Sequence, residues 1–424
     1  MAIIQSKIDP GSETFAANRR DMLALVENFR ALEARVRDTS NQKLPLFQKR
    51  GQLTPRQRIA HLLDRGSPFL EISTLAGLNM HDDDGAENIQ GGGTIAGIGY
   101  VSGVRCMITA SDSGIKGGTT APMGLRKALR AQQIVLKNKL PYISLIESGG
   151  ANLNYQAEIF VEGGTTFANM ARMSALGIPH ITVVHGSSTA GGAYNPGLSD
   201  YVVVVKKRAK IFLAGPPLLK AATGEIANDE ELGGAEMHAT VSGIAEHLAE
   251  DDADAIRIAR EIMAAIPWNE RLPTLPRKEA RPPRYSPDEL AGVVPVDYRK
   301  PYDVREVIAR LVDDSDFLDF KPLYGTHTVC GQALIEGEEV SSLAATVGLL
   351  DIANGMTVRA QPNEVLFPNI DLTAHFFRRP VGGWVGFDTR VSFGPAGVGL
   401  TSSVIHDVDG PVGTSNQILT VRPI

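Results

Sequence analysis

From Glu13 to Asp38 apolar residues recur three and four positions apart among charges, at Met22, Leu25, Phe29, Leu32 and Val36. That spacing predicts an amphipathic helix with one core-facing stripe. From Gly91 the pattern changes to short apolar runs broken by glycines, in "GGGTIAGIGYVSGVRCMITASDS", "PYISLIESGGA", "PHITVVHGSSTAGGAY" and "DYVVVVKKRAKIFLAGPP". Helical patterns lie between them, from Leu125 to Lys137 and from Thr165 to Leu176. Alternating strands and helices predict an α/β domain with buried strands. Glycines at the strand ends mark places where backbone comes close to something else.

Residues 267–300 are rich in proline and charge with weak periodicity, and read as a connection that closes a first domain at residues 1–266. Beyond it the chain repeats itself. "RIAHLLDRGSPFLEI" matches "VIARLVDDSDFLDF" with one deletion, pairing Ile59 with Ile308, Leu62 with Leu311, Asp64 with Asp313, Phe69 with Phe317 and Leu70 with Leu318. A duplicated domain is the expectation, with residues 301–340 as its truncated start. After Ser341 comes a helical pattern to Met356. It is followed by strand patterns in "IDLTAHFFRR", "GWVGFDTRVSFGP", "GVGLTSSVIHDVDG" and "PVGTSNQILTVRP". A helix followed by an antiparallel meander is not a βαβ repeat, so residues 341–424 form a segment of different kind.

Composition narrows the chemistry. With 43% hydrophobic residues among 424, the chain can bury a sizeable core. A formal charge of -6 and the lack of a basic stripe interleaved with aromatics argue against nucleic acid. Two distant cysteines, Cys106 and Cys330, in apolar surroundings read as core thiols in a reducing compartment. No run approaches the ~18 apolar residues of a membrane span, and the first residues lack a signal-peptide pattern, so a cytoplasmic protein is expected.

The loop "HGSSTAGGAY" follows a strand and opens a helix, so the amides of Gly191 and Gly192 can stand at a positive helix end with no side chain in the way. Such a pair can hold an oxyanion, or it can simply permit a tight turn. A second pair, Gly149 and Gly150, sits at a comparable strand end and favours a site. Ser188 and His185 lack a recognisable third partner, and no zinc spacing or phosphate-binding Gly-x-x-x-x-Gly-Lys loop is present.

Residues 1–338 resemble the carboxyltransferase (β) subunit of biotin-dependent acyl-CoA carboxylases, nearest the branch acting on 3-methylcrotonyl-CoA or geranyl-CoA. The matching stretches are "LTPRQRIAHLLDRGSPFLEIS", "IKGGTTAPMGLRKALRAQQI", "ESGGANL", "GSSTAGGAYNPGLSD", "IFLAGPPLLKAATGE", "LGGAEMH", "SGIAEHLAEDD" and "FKPLYGTHTVCG". The resemblance implies a crotonase-like superhelix and an acyl-CoA whose enolate oxygen rests on Gly191 and Gly192. It implies substrate contacts at Gly149, Gly150, Ala151, Lys116, Gly117 and Gly118. Lys49, Arg50, Arg56, Arg126 and Lys127 become candidates for the CoA phosphates. Carboxybiotin would arrive on a biotin carboxylase/biotin carrier partner and take the substrate proton, within a homo-oligomer and with no bound metal. The second crotonase domain, which supplies the biotin side in this family, is represented here only by its start.

Residues 342–423 resemble the second half of double-hotdog acyl-CoA thioesterases, through "LLDIANG", "LFPNIDLTAHFFRRP", "GFDTRVSFGPAGVGLTSSVIHDVDGPVG" and "NQILTVRP". That likeness puts the residues positioning a hydrolytic water at Asp351, Asn369 and Gln417. Acyl-CoA thioesterase activity, or noncatalytic acyl-CoA binding, is the alternative to carboxyl transfer.

Overall fold

Val202 to Val205 are all buried, and a strand without a polar face needs cover on both sides. In the computed structural model this run is one of the parallel strands of an eight-stranded sheet. The structure describes residues 2–80, 90–272, 279–320, 322–323, 329–335, 338–339, 365–366, 373–376, 378, 385–393, 398–420 and 422–423. It divides into two compact units, Leu25–Thr274 and a second one combining Met1–Ala24 with Leu275–Ile424.

Strands are numbered along the chain, with β1 (Ala2–Ile3) in the second unit. The large sheet of the first unit contains β2 (Leu70–Glu71), β3 (Thr94–Val101), β4 (Val104–Ser111), β5 (Tyr142–Ser148), β6 (His180–Thr189), β7 (Tyr201–Val205), β8 (Lys210–Phe212) and β9 (His247–Ala249). The order is β2-β3-β4-β5-β6-β7-β9, with β8 beside the end of β6. The pairs β2–β3 and β3–β4 are antiparallel and all later pairs are parallel. Parallel neighbours need crossovers, which the helices provide.

Local sequence accounts for those helices. Helix α3 (Pro55–Leu62) starts with a capping box between Thr54 and Gln57, and α4 (Pro122–Asn138) has proline in its first turn. Helix α5 (Gln156–Ala175) begins nine residues before the apolar pattern that signals it. Its first turns contain Gly163 and Gly164 and expose Phe160 and Val161, so they carry no core-facing stripe. Ala131 and Val135 of α4, Met170 and Met173 of α5, Ile59 and Leu62 of α3 and Ala259 of the helix Asp252–Ala265 share one core with Ile143 and Ile181.

The helix anticipated from Glu13 to Asp38 exists as α1 (Glu13–Asn41), but its stripe is only partly a core stripe. Val36 is buried, whereas Leu25 and Phe29 are each 49% exposed. Periodicity reports that a helix has an apolar face and does not report what covers it. Cys106 is buried and its thiol is pushed up to about 12 by burial, while Cys330 is only half-buried.

In the second unit the first residues of the chain pack with the segment that reads as a connection. Ser6 Oγ donates to Glu306 at 2.6 Å, the Ser6 amide donates to the Tyr285 hydroxyl, and Arg310 reaches Glu289 at 2.7 Å. Strand β10 (Asp316–Phe320) lies between β1 and β11 (Cys330–Gln332). A short hairpin pairs β12 (Leu334–Ile335) with β13 (Glu338–Glu339), and β14 (Val365–Leu366) pairs with β19 (Arg422–Pro423). Both members of the internal repeat fold as helix, turn and strand: α3 with β2, and the helix Val304–Ile308 with β10.

The four-stranded antiparallel sheet contains β15 (Thr373–Phe376), β16 (Gly386–Phe393), β17 (Val398–Asp407) and β18 (Gly410–Thr420). Its order, β15-β18-β17-β16, corrects the simple meander, because the first strand pairs with the last. Turn residues fix pairing only between strands adjacent in sequence, and this pairing is long-range. The helical pattern from Ser341 to Met356 lies outside the described residues.

Close packing yields a first prediction. A Cβ on Gly124 would stand 2.1 Å from the Gly92 carbonyl oxygen, and Gly92 itself has φ +69°. Gly124→Ala is expected to destabilise the Leu25–Thr274 unit by ~2 kcal/mol. The measurement is urea unfolding, and an unchanged midpoint would refute it.

Candidate functional site

Strands β4, β5 and β6 end side by side, and the loops leaving them carry Lys116–Gly118, Gly149–Ala151 and Ala190–Gly192. The carboxyl edge of a parallel sheet is where open α/β folds present loops to ligands. Backbone bonds join these loops. The Gly149 amide donates to the Gly117 carbonyl at 3.3 Å, and the Thr120 amide to the Gly150 carbonyl at 2.8 Å. Ser148 Oγ donates to the Gly118 carbonyl at 2.8 Å, and Ser188 Oγ to the Gly192 carbonyl at 2.9 Å.

Two of the glycines are required sterically. Gly118 has φ +70°, and a Cβ there would meet the Glu147 carbonyl oxygen at 2.2 Å. Gly150 has φ +94°, with Thr189 and Ala190 against it. Gly191 differs, since its nearest prospective neighbour is the Phe167 ring at 4.0 Å. A side chain there would enter open space, at the start of a short helical turn, where N–H groups generally lack internal acceptors. Ala190, immediately before it, is held at φ +51°, a conformation an alanine adopts at a cost of ~1 kcal/mol. Phe167 stacks on Tyr194, with ring centroids 4.5 Å apart, and forms one wall.

The loops thus bring together Lys116, Gly117, Gly118, Gly149, Gly150, Ala151, Gly191 and Gly192. The other basic candidates are dispersed. Arg56 makes a bidentate pair with Glu71 at 2.9 and 3.0 Å. Lys127 is buried, donates to the Gly91 carbonyl at 3.3 Å and is lowered to about 8 by desolvation, which takes it off the surface available to phosphates. Arg126 is exposed, 3.8 Å from Glu162. Lys49 and Arg50 are exposed at the end of the helix Leu44–Lys49, and the Arg50 carbonyl accepts from Arg208. Gln417 is buried in β18 opposite Thr401, while Asp351 and Asn369 lie outside the described residues.

Under the glycine loops a buried cluster joins His185, weighed in sequence beside Ser188, to Arg58, Glu147 and Asp252, a grouping the sequence did not reveal. Arg58, 1% exposed, donates to Glu147 at 2.8 Å and to Asp252 at 3.4 Å. His185 Nδ1 lies 2.8 Å from the other Asp252 oxygen. Burial would raise the Asp252 carboxyl, but His185, Arg58 and the Leu53 amide hold it at about 2. Burial and the neighbouring Arg58 lower His185 to about 4 against the pull of Asp252, so the ring is neutral at pH 7. Asp252 is thus a third partner for His185. Ser188, however, donates its hydrogen bond to the Gly192 carbonyl and completes no nucleophilic relay. These four residues lie in four sequence segments, so no local motif announced them.

Residues 47–360 match the family model of the carboxyl transferase domain, and the chain belongs to that family. Residues 319–421 match the acyl-CoA thioesterase C-terminal domain. The chain is 48% identical over 350 residues to a probable biotin-dependent acyl-coenzyme A carboxylase beta2 subunit of Mycobacterium tuberculosis, covering 82% of this chain and 64% of that one. It is 47% identical over 346 residues to the mitochondrial methylcrotonoyl-CoA carboxylase beta chain of Dictyostelium discoideum, covering 81% and 58%. The crystal structure of the Pseudomonas aeruginosa geranyl-CoA carboxylase beta subunit superposes with a TM-score of 0.74 at 60% identity, covering 80% of this chain and 62% of that one. The chain therefore spans less than two thirds of the length of these relatives. The fold is the expected α/β crotonase-like one, followed by a hotdog-like segment. Among the described residues no helix is long and apolar enough to cross a membrane.

The buried histidine gives a pH prediction. Unfolded, His185 takes up its proton near 6.5; folded, it does so near 4. Protons therefore favour unfolding in that window, and stability falls as pH drops from about 6.5 towards 4. His180, lowered by burial to about 3, acts in the same direction. His185→Gln is expected to be less stable at pH 7.5 yet to lose less between pH 7 and 5 than wild type, as read by urea midpoints. Equal losses in both proteins would show that His185 is not the group responsible.

Proposed function

We propose that the chain is the carboxyltransferase component of a biotin-dependent acyl-CoA carboxylase, with the acyl thioester at the Gly191–Gly192 turn. The observation that carries this is the open space beside Gly191, flanked by two further glycine loops at the carboxyl edge of the sheet. Removing a proton beside a thioester carbonyl moves negative charge onto its oxygen, and amides fixed beforehand stabilise that charge as it develops. In this reading the functional division is a carboxyltransferase domain in residues 1–266, whose first residues, Met1–Ala24, fold with the second compact unit, a connection at 267–300, a partial second domain at 301–340 and the hotdog-like segment beyond it.

Lys116 and Gly117 on one loop and Gly149, Gly150 and Ala151 on the next form the substrate cradle. Lys49, Arg50 and Arg126 remain the exposed cations for CoA phosphates, whereas Arg56 would have to leave Glu71 to join them. Biotin, when carried in by a partner carboxylase or carrier subunit, supplies the carboxyl group and the proton acceptor. The residues of this chain bind the acyl-CoA and fix its carbonyl, with the Phe167 and Tyr194 rings beside the acyl group. A cytoplasmic homo-oligomer is part of the same reading.

The acyl chain is best taken as branched or isoprenoid. Gly163 and Gly164 lie one turn before Phe167 on α5, with nothing within 4 Å of a prospective Cβ, although two glycines inside a helix cost ~1 kcal/mol each. We place a long acyl chain along this open helix face, and the 60% identity to the geranyl-CoA carboxylase beta subunit supports a chain of that kind. Thioester hydrolysis is the second reading, favoured by the match over residues 319–421 and by Gln417 on the buried face of its sheet.

The deciding assay follows loss of carboxyl from carboxylated acyl-CoAs with added free biotin, with CoA release measured in parallel. Biotin-dependent loss without free CoA is expected; free CoA without biotin dependence supports the thioesterase. Gly191→Val should lower the biotin-dependent rate ~10²- to 10³-fold while leaving the unfolding temperature nearly unchanged, because the added methyls enter open space. Gly163→Phe should lower kcat/KM for a ten-carbon acyl group at least ~10-fold relative to a five-carbon one. An unchanged ratio would take Gly163 out of the acyl channel.

A further inference from the structure

Glu147, Ser113 and His185 each stand at the root of a glycine loop. Glu147 immediately precedes Ser148–Gly150, His185 precedes the stretch to Gly192, and Ser113 leads to Lys116–Gly118. All three connect to Arg58. Its Nη1 donates to Glu147 Oε2, the oxygen that also accepts from Ser113 Oγ at 2.9 Å. Its Nε and Nη2 point to the carboxylate of Asp252, which holds His185 through its other oxygen. A Cβ on Gly186 would stand 2.7 Å from the Glu147 side chain, so β6 is packed directly on this pair.

The Lys49–Arg50 segment is tied to the same centre. Asp252 accepts from the Leu53 amide at 2.7 Å, and Arg208, 3.8 Å from Asp252, donates to the carbonyls of Arg50 and Gly51.

We propose that Arg58 and Glu147, locked by Asp252 and His185, are positioning residues that set the three glycine loops and the Lys49–Arg50 segment in one fixed arrangement. None of them touches the reacting atoms. The physical ground is that a guanidinium stays charged when buried, so its carboxylates must keep their places, and backbone anchored to them inherits that precision. Burying this pair is a poor way to gain stability, since apolar residues of similar volume usually do as well, whereas fixing a geometry requires directional partners. Displacements of about 1 Å at a reacting centre cost ~10²-fold in rate.

The inference rests on the carboxyltransferase reading for its kinetic arm only. The full-length chain is compared as wild type, Glu147→Gln and the milder Ser113→Ala. The readouts are biotin-dependent decarboxylation of a carboxylated acyl-CoA, KM for that acyl-CoA, unfolding temperature, and amide hydrogen exchange over residues 148–151 and 186–192. Glu147→Gln should lower kcat ~10- to 100-fold per folded molecule with KM within about twofold, and Ser113→Ala ~3- to 10-fold. Exchange in both loops should accelerate in each variant. A lowered unfolding temperature with unchanged kcat per folded molecule and unchanged loop exchange overturns the proposal. If wild type shows no biotin-dependent activity, the carboxyltransferase reading fails by itself, and loop exchange still decides the positioning role: acceleration supports it and no change removes it.

Discussion

Arg58 keeps its charge in the interior, and that single constraint organises the Leu25–Thr274 unit. A guanidinium removed from water must be met by carboxylates, and here they come from the end of a strand, Glu147, and the first turn of a helix, Asp252. Strand, helix and the capping-box helix that carries Arg58 are thereby held at one point. The loops that follow have little freedom left, although they lie at the surface where loops are usually mobile.

What those loops present is backbone. Gly118 and Gly150 accommodate approaches no side chain would allow, and Ala190 accepts a left-handed conformation that turns the chain into the Gly191 amide. Strain at a glycine-poor position is tolerated when the surroundings over-determine it, as the bonds from Ser148 and Ser188 do here. A site made of amides has no titrating centre of its own. The groups with displaced pKa values, His185 and Asp252, sit underneath it and remain in one charge state across neutral pH.

The second unit follows another logic. Its amino-terminal residues and residues 279–320 are joined by Glu306, Arg310 and Tyr285, a small polar centre. The antiparallel sheet after it buries one face, with Ile405, Val412 and Leu419 beside Thr401, Ser403, Ser415 and Gln417. That mixture of apolar and hydrogen-bonding residues is unlike β7 of the first unit, where Val202 to Val205 are all buried and apolar. The two parts of the chain thus differ in topology, one sheet largely parallel and the other antiparallel.

Sequence alone determined the alternating strands and helices, the glycine loops at the strand ends, and the change of architecture near residue 340, because periodicity and glycine placement are local signals. It also carried the family resemblance, through stretches such as "GSSTAGGAY" whose backbone function constrains every position. Tertiary structure decided what depends on contacts between distant segments. It put Lys127 inside the domain, tied Arg56 to Glu71, left Leu25 and Phe29 of α1 exposed, and returned β15 to the side of β18. It alone assembled Arg58, Glu147, His185 and Asp252, since charged residues scattered over some two hundred positions have no spacing to read. Their identity as one cluster arises only when the parallel strands bring the segments together and desolvation makes the buried guanidinium depend on its two carboxylates.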